Sequence, residues 1–132
     1  MMKEIMKGRS ISPGKAEGEA IVSKTPIGFY GGIDAKTGNV IEKGHELEGR
    51  NVKDKILVFP NGKGSTVGSY VIYGLKKNGV APKAIINKET ETIVATGVIL
   101  AGIPCVDGID IDKIKTGDRL RVDAERGTVE HA

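Results

Sequence analysis

The chain has 132 residues, 39% apolar and 28% charged, with 20 Lys and Arg against 17 Asp and Glu for a formal net charge of +3. That suits one compact domain over residues 1–132, burying roughly two-thirds of the surface the unfolded chain exposes. Charges alternate in sign and aromatics are few, which excludes a polybasic or base-stacking nucleic-acid surface; one cysteine, Cys105, excludes an internal disulfide and a metal site made of this chain's thiolates alone.

Residues 8–23 read as strand, turn, strand, with Ser12-Pro13-Gly14 as the turn and Glu19-Ala20-Ile21-Val22 as an apolar run, giving a hairpin or a bent strand. Residues 25–49 are rich in Gly, Pro, Asp and Asn and predict a long excursion with at most short strands, a kind of segment that is often functional. Lys55-Ile56-Leu57-Val58-Phe59-Pro60 is a strand buried on both faces. After a glycine-rich turn, residues 66–78 predict the main helix, with Val67, Val71 and Leu75 on its apolar face, Tyr70 and Tyr73 close to it, and Asn78-Gly79 as its stop. Residues 84–87 predict a second buried strand, 92–100 a short helix, 103–106 a third strand, and 116–123 with 128–130 a closing hairpin. The first eight residues have no long apolar run, nothing reaches membrane-spanning length, and a soluble cytoplasmic protein is expected. The 19 glycines fit short strands and tight turns, and the lack of glutamine leans toward a heat-adapted source.

The most informative segment is Phe59-Pro60-Asn61-Gly62-Lys63-Gly64-Ser65-Thr66, a strand passing through a glycine-rich turn into a helix. The first N–H groups of a helix lack intrahelical partners, so an anion or a developing oxyanion is stabilised there, and Ser65 sits at that positive end with Lys63 as local cation. The plainer alternative is that Ser65 or Thr66 caps the helix. The segment is not a Walker A loop, because the first glycine of that motif is missing. His45 and Asp34, in one glycine-rich excursion, are candidates for orienting substrate or moving protons, or else turn and surface groups. Cys105 reads as a small buried apolar residue, His131 as part of a disordered end, and Arg9, Arg50, Arg119 and Arg121 as candidates for acidic substrate groups or as solvated surface.

Two resemblances meet at these residues. The opening Ile11-Ser12-Pro13-Gly14-Lys15-Ala16-Glu17-Gly18 and the closing segments Gly102-Ile103-Pro104-Cys105-Val106, Thr116-Gly117-Asp118 and Gly127-Thr128-Val129 resemble the swivelling β/β/α domain of phosphoenolpyruvate-utilising enzymes. Gly64-Ser65-Thr66 stands where those domains carry their phospho-accepting histidine. Over nearly its whole length, and most in Phe29-Tyr30-Gly31-Gly32-Ile33-Asp34, His45, Gly49 and Asn61-Gly62-Lys63-Gly64-Ser65, the chain resembles the small subunit of the aconitase X family. The resemblance implies an α/β fold, a compact, sheet-rich swivelling β/β/α domain with one main helix after a glycine-rich loop. It implies a hydro-lyase active only with a large subunit that carries a 4Fe-4S cluster, with Ser65 as proton acceptor and Gly62, Lys63, Gly64, Thr66, Asp34 and His45 at the substrate. The implied substrate is a small phosphorylated hydroxy acid, 5-phosphomevalonate in archaeal members; hydroxyproline dehydration and a phosphotransfer role are the alternatives. No arginine follows Ser65, unlike in ordinary aconitases.

Overall fold

The computed structural model describes residues 4–132. Eight strands form one hydrogen-bonded sheet in the order β1-β8-β7-β3-β4-β5-β6-β2, folded over on itself at β3. The strands are β1 (Ile5–Lys7), β2 (Arg9–Ser12), β3 (Lys15–Val22), β4 (Ile56–Phe59), β5 (Ala84–Asn87), β6 (Cys105–Asp107), β7 (Arg119–Asp123) and β8 (Thr128–His131). The helices α1 (Gly68–Lys77) and α2 (Thr92–Ala101) follow β4 and β5.

β3 makes the fold-over because its two halves have different partners. Lys15 to Glu19 pair antiparallel with β7, and Ala20 to Val22 pair parallel with β4. Of the two expected geometries for residues 8–23, the bent strand is the one formed; β2 leaves to pair with β6, so no hairpin closes.

Strand alternation then builds two cores. Ile56 and Val58 of β4, with Ala84 and Ile86 of β5, face Leu120, Val122 and Val129 between the sheet layers. Leu57, Phe59 and Ile85 face the other way, onto α1, α2 and the excursion. A strand with a core on each side must be apolar at every position, which is why β4 reads as a continuous run. The result is three layers, β/β/α, with both helices on one side.

Three local features depart from the sequence reading. α1 begins at Gly68 and buries Gly68, Ser69, Ile72 and Leu75, whereas Val67, Tyr70 and Tyr73 face solvent. Of the expected Val67-Val71-Leu75 face, Leu75 is buried and Val71 packs against the core, but the stripe is shifted away from Val67 because α1 lies against α2 through Gly68, Ser69 and Ile72. The expected main helix is therefore one of two, each ten residues long. β1 was hidden by its charged neighbours, since only Met6 of its three residues is buried. His131 is not disordered: it pairs with Leu120 in β8, and its Nε2 lies 3.0 Å from the Asp118 carboxylate.

The two helices meet at Gly97, where a Cβ would come within 2.7 Å of Ile72 Cδ1 and 2.9 Å of Ile72 Cβ. Ile72 is fully buried and cannot move aside cheaply. Gly97→Ala is expected to cost about 1–3 kcal/mol of stability, read as a lowered thermal midpoint.

Candidate functional site

β4 delivers the chain to the carboxyl end of the parallel strands, the place where open α/β sheets bind ligands. Pro60 ends the strand, and residues 61–63 run beside the start of the excursion. Ile27 N–H donates to Asn61 O at 3.2 Å, and Lys63 N–H donates to Ile27 O at 3.1 Å. Phe29 then packs edge-on to Phe59, ring centroids 5.8 Å apart, fixing the following turn against the end of β4. Gly62 is buried against the start of α2, where a Cβ would come within 2.7 Å of Val94 Cγ2 and would meet the Glu91 carboxylate. Glu91 caps that helix, its oxygens accepting from Ile93 N at 2.7 Å and Val94 N at 3.0 Å. Gly64 has φ +87°, a backbone conformation that favours glycine, with open space around it.

Ser65 is exposed, and its Oγ accepts the Val67 N–H at 3.1 Å. Ser65 O accepts from Gly68 N at 2.9 Å, so a turn of backbone precedes the regular helix and Ser65 opens it. Thr66 borders a cleft of about 290 Å³ between the two helices, lined also by Ser69, Tyr70, Ile93, Thr96 and Leu100. Lys63 Nζ lies 3.4 Å from Glu42 Oε2, a cation tethered to the excursion beside the loop.

The structure therefore brings Gly62, Lys63, Gly64, Ser65 and Thr66 together. The hydrogen bonds of Asp34 and His45 stay within the excursion. Asp34 Oδ1 accepts from Lys36 N at 2.9 Å, and the neighbouring Ala35 O accepts from Asn78 Nδ2 at the far end of α1. His45 is buried; Nδ1 accepts from Leu47 N at 3.1 Å, so Nε2 carries the proton and donates to Pro26 O at 3.1 Å. Arg9 pairs with Asp107, and Arg119 and Arg121 share Glu17, all away from the loop; Arg50 is exposed.

Sequence reasoning missed the acids that organise this end of the molecule. Glu91 was findable, as an acid at the start of an expected helix. Glu42 and Glu46 were not, because their partners lie about twenty residues away in sequence: Lys63 for Glu42, and Ser23, Lys24 and Thr25 for Glu46. Burial alone would raise the Glu46 carboxyl, but the N–H groups of Lys24 and Thr25 and the hydroxyls of Ser23 and Thr25 outweigh it and hold its pKa below the ordinary value. A larger hollow of about 640 Å³ opens among Pro13, Lys15, Asp54, Lys76 and Lys83. It lies at the amino ends of the same strands, where no glycine-opened helix start faces it, and the smaller cleft is the better candidate site.

The donor set does not suit a metal cluster within this chain. Among the described residues no three His, Cys, Asp or Glu side chains gather into a site. Cys105 is fully buried, and burial pushes its thiol from 9.0 up to about 12. Because the folded state holds that proton more tightly than the unfolded chain, the contribution is intact below pH 9.0 and is lost as pH rises toward about 12. Cys105 should accordingly resist iodoacetamide in the native protein at pH 8.5 and react once denatured, and stability should fall in alkali less steeply for Cys105→Ala than for the unaltered chain.

A family model described as the aconitase X swivel domain matches residues 5–131. The chain is 61% identical over 125 residues to the phosphomevalonate dehydratase small subunit of Thermococcus gammatolerans, covering 95% of each. It is 62% identical over 124 residues to the protein of the same name from Methanocaldococcus jannaschii, covering 94% of this chain and 95% of that one. Its fold superposes with a TM-score of 0.97 on a chain of the crystal structure of Thermococcus kodakaraensis aconitase X in its holo form, at 59% identity and 98% coverage of both.

Proposed function

Because this chain belongs to the aconitase X swivel-domain family, we propose that it is the small subunit of phosphomevalonate dehydratase, a heteromeric hydro-lyase. The enzyme converts (R)-5-phosphomevalonate to trans-anhydromevalonate 5-phosphate in the mevalonate route to isoprenoids. Relatives of that name match this chain almost end to end. The single observation that carries the mechanism is the Val67 N–H aimed at the exposed Ser65 Oγ.

Ser65 is the proton acceptor. A serine hydroxyl is a poor base at neutral pH unless its oxygen is stabilised as it gains charge. The Val67 N–H already bonds that oxygen, and such a bond strengthens when its acceptor becomes anionic. Ser65 Oγ, deprotonated, takes the proton from the carbon adjacent to the one bearing the hydroxyl, and the C–O bond breaks as the double bond forms. The departing hydroxide takes up a proton from solvent and leaves as water, and Ser65 returns its own proton to solvent. A 4Fe-4S cluster held by the large subunit supplies, when bound, a Lewis acid for that hydroxyl. Gly62, Lys63, Gly64 and Thr66 surround the substrate, with the Lys63 ammonium exchanging Glu42 for a substrate anion. Asp34 and His45 belong to the excursion that borders this pocket. Turnover of Ser65→Ala with the large subunit is expected to fall by about 10²- to 10⁴-fold, with assembly unchanged by size-exclusion chromatography; full turnover would refute the assignment.

The large subunit covers the face around Ser65. Tyr70 is 69% and Leu100 54% exposed beside the cleft that Thr66 enters, with Tyr30, Val67 and Tyr73 also outward. This uncharged, aromatic surface suits burial in a protein interface. A charge introduced at its centre tests the placement: Tyr70→Glu should leave the fold intact, because Tyr70 packs outward, and weaken subunit association by about tenfold or more, measured by calorimetric titration. The assembled pair acts in the cytoplasm without nucleic acid or membrane. In support, no helix among the described residues is long and apolar enough to span a bilayer, and the charges alternate in sign along the chain.

A further inference from the structure

Glu46 and His45 are neighbours in sequence, and each grips the same short piece of backbone. Glu46 Oε1 accepts from Lys24 N at 2.7 Å and from Thr25 N at 3.2 Å. His45 Nε2 reaches Pro26 O at 3.1 Å and Thr25 Oγ1 at 3.3 Å, with its ring oriented by the Leu47 N–H. Residues 24–26 lead directly into Ile27, whose N–H and C=O make the two backbone bonds to Asn61 and Lys63. The same excursion segment reaches the loop a second time, through Glu42 and Lys63. A continuous path of hydrogen bonds thus runs from Glu46 and His45, through residues 24–27, to the residue two places before Ser65.

We infer that Glu46 and His45 are positioning residues that set the placement of the Ser65 hydroxyl by clamping residues 24–27 against the loop at 61–63. The inference rests on Ser65 being the base. Both side chains act through residues 23–26 rather than on the reacting atoms. Without the clamp, Ile27 loses its fixed register against Asn61 and Lys63, and Ser65 samples orientations away from the substrate carbon. Proton transfer depends steeply on such geometry, whereas binding through the rest of the loop and the large subunit depends on it less.

The test uses the assembled two-subunit enzyme and reads turnover together with hydrogen–deuterium exchange. Glu46 is exposed, so Glu46→Ala should fold and assemble. Its kcat should fall by about 10- to 100-fold with KM little changed, and peptides spanning 24–28 and 61–66 should exchange about tenfold faster while β4 and β5 stay protected. Glu46→Gln keeps an acceptor oxygen for the two N–H groups and should recover most of kcat, and His45→Ala should move both readouts in the same direction as Glu46→Ala. Unchanged exchange in the 61–66 peptide, or faster exchange with unchanged kcat, overturns the clamp. Retained turnover in Ser65→Ala overturns the base assignment instead, so the two failures are distinguishable.

Discussion

Ile27 donates to Asn61 and accepts from Lys63, and this pair of backbone bonds is the main-chain joint between two parts of the chain far apart in sequence. On one side is an excursion of some thirty residues that carries most of the irregular structure. On the other is the turn between the most deeply buried strand and the first helix. If the joint were absent, the excursion would still bury Phe29 against Phe59, but between β4 and α1 the turn carrying Ser65 would keep only the side-chain tie of Lys63 to Glu42. Glycine at 64 gives that turn its reversal and also its freedom, and the joint takes back the freedom that glycine introduces.

The two cores explain why the joint can be so short. β4 and β5 are held on both faces, by the folded-over antiparallel strands on one and by the helices on the other. The end of β4 is therefore a fixed point, and α1 is a second one, locked to α2 through Ile72 and Gly97. Between these anchors the chain has only to cross from Pro60 to Gly68. The excursion is anchored in turn by Ile27, Phe29, Ile33, Val40, Leu47 and Val52, all buried in the outer core. Its few apolar residues are spaced so that nearly every one is a fastening, with polar turns between them.

How far the sequence was legible follows from whether a signal is local. β4, β5 and the β7–β8 hairpin were readable because continuous or alternating apolar runs report burial directly, and the Asn78-Gly79 stop of α1 because turn chemistry is local. The loop from Gly62 to Thr66 was readable for the same reason. The buried face of α1 was not: Val67, Val71 and Leu75 satisfy helical spacing, but Gly97 on the other helix decides which stripe packs, and a glycine has no hydrophobic signal of its own. β1 was hidden because its pairing depends on β8 from the opposite terminus, and the order of His131 because it rests on Leu120 across the hairpin and on the Asp118 carboxylate. The clamping acids were the least legible, since an isolated Glu in a charged excursion looks like any solvated residue until its partners are placed.

Capping and catalysis at Ser65 look like competing explanations, but α1 itself has Val67 as its N-cap with no side-chain cap bond, and Ser65 Oγ accepts the Val67 N–H in the turn just before the helix. A capping serine is an oxygen held near amide hydrogens that no carbonyl satisfies, and a serine that must carry negative charge requires the same surroundings. What separates a cap from a base is access. Ser65 is exposed, preceded by a glycine with open space around it, and followed by Thr66, which borders the cleft between the two helices. In the proposed mechanism the hydrogen bond from Val67 orients the oxygen in the resting subunit and stabilises it as charge develops, so one interaction serves the fold before the partner arrives and the chemistry afterwards. On the same proposal no arginine after Ser65 is needed to hold the oxygen in place: the helix start does the orienting, and Lys63 brings the positive charge to the same loop.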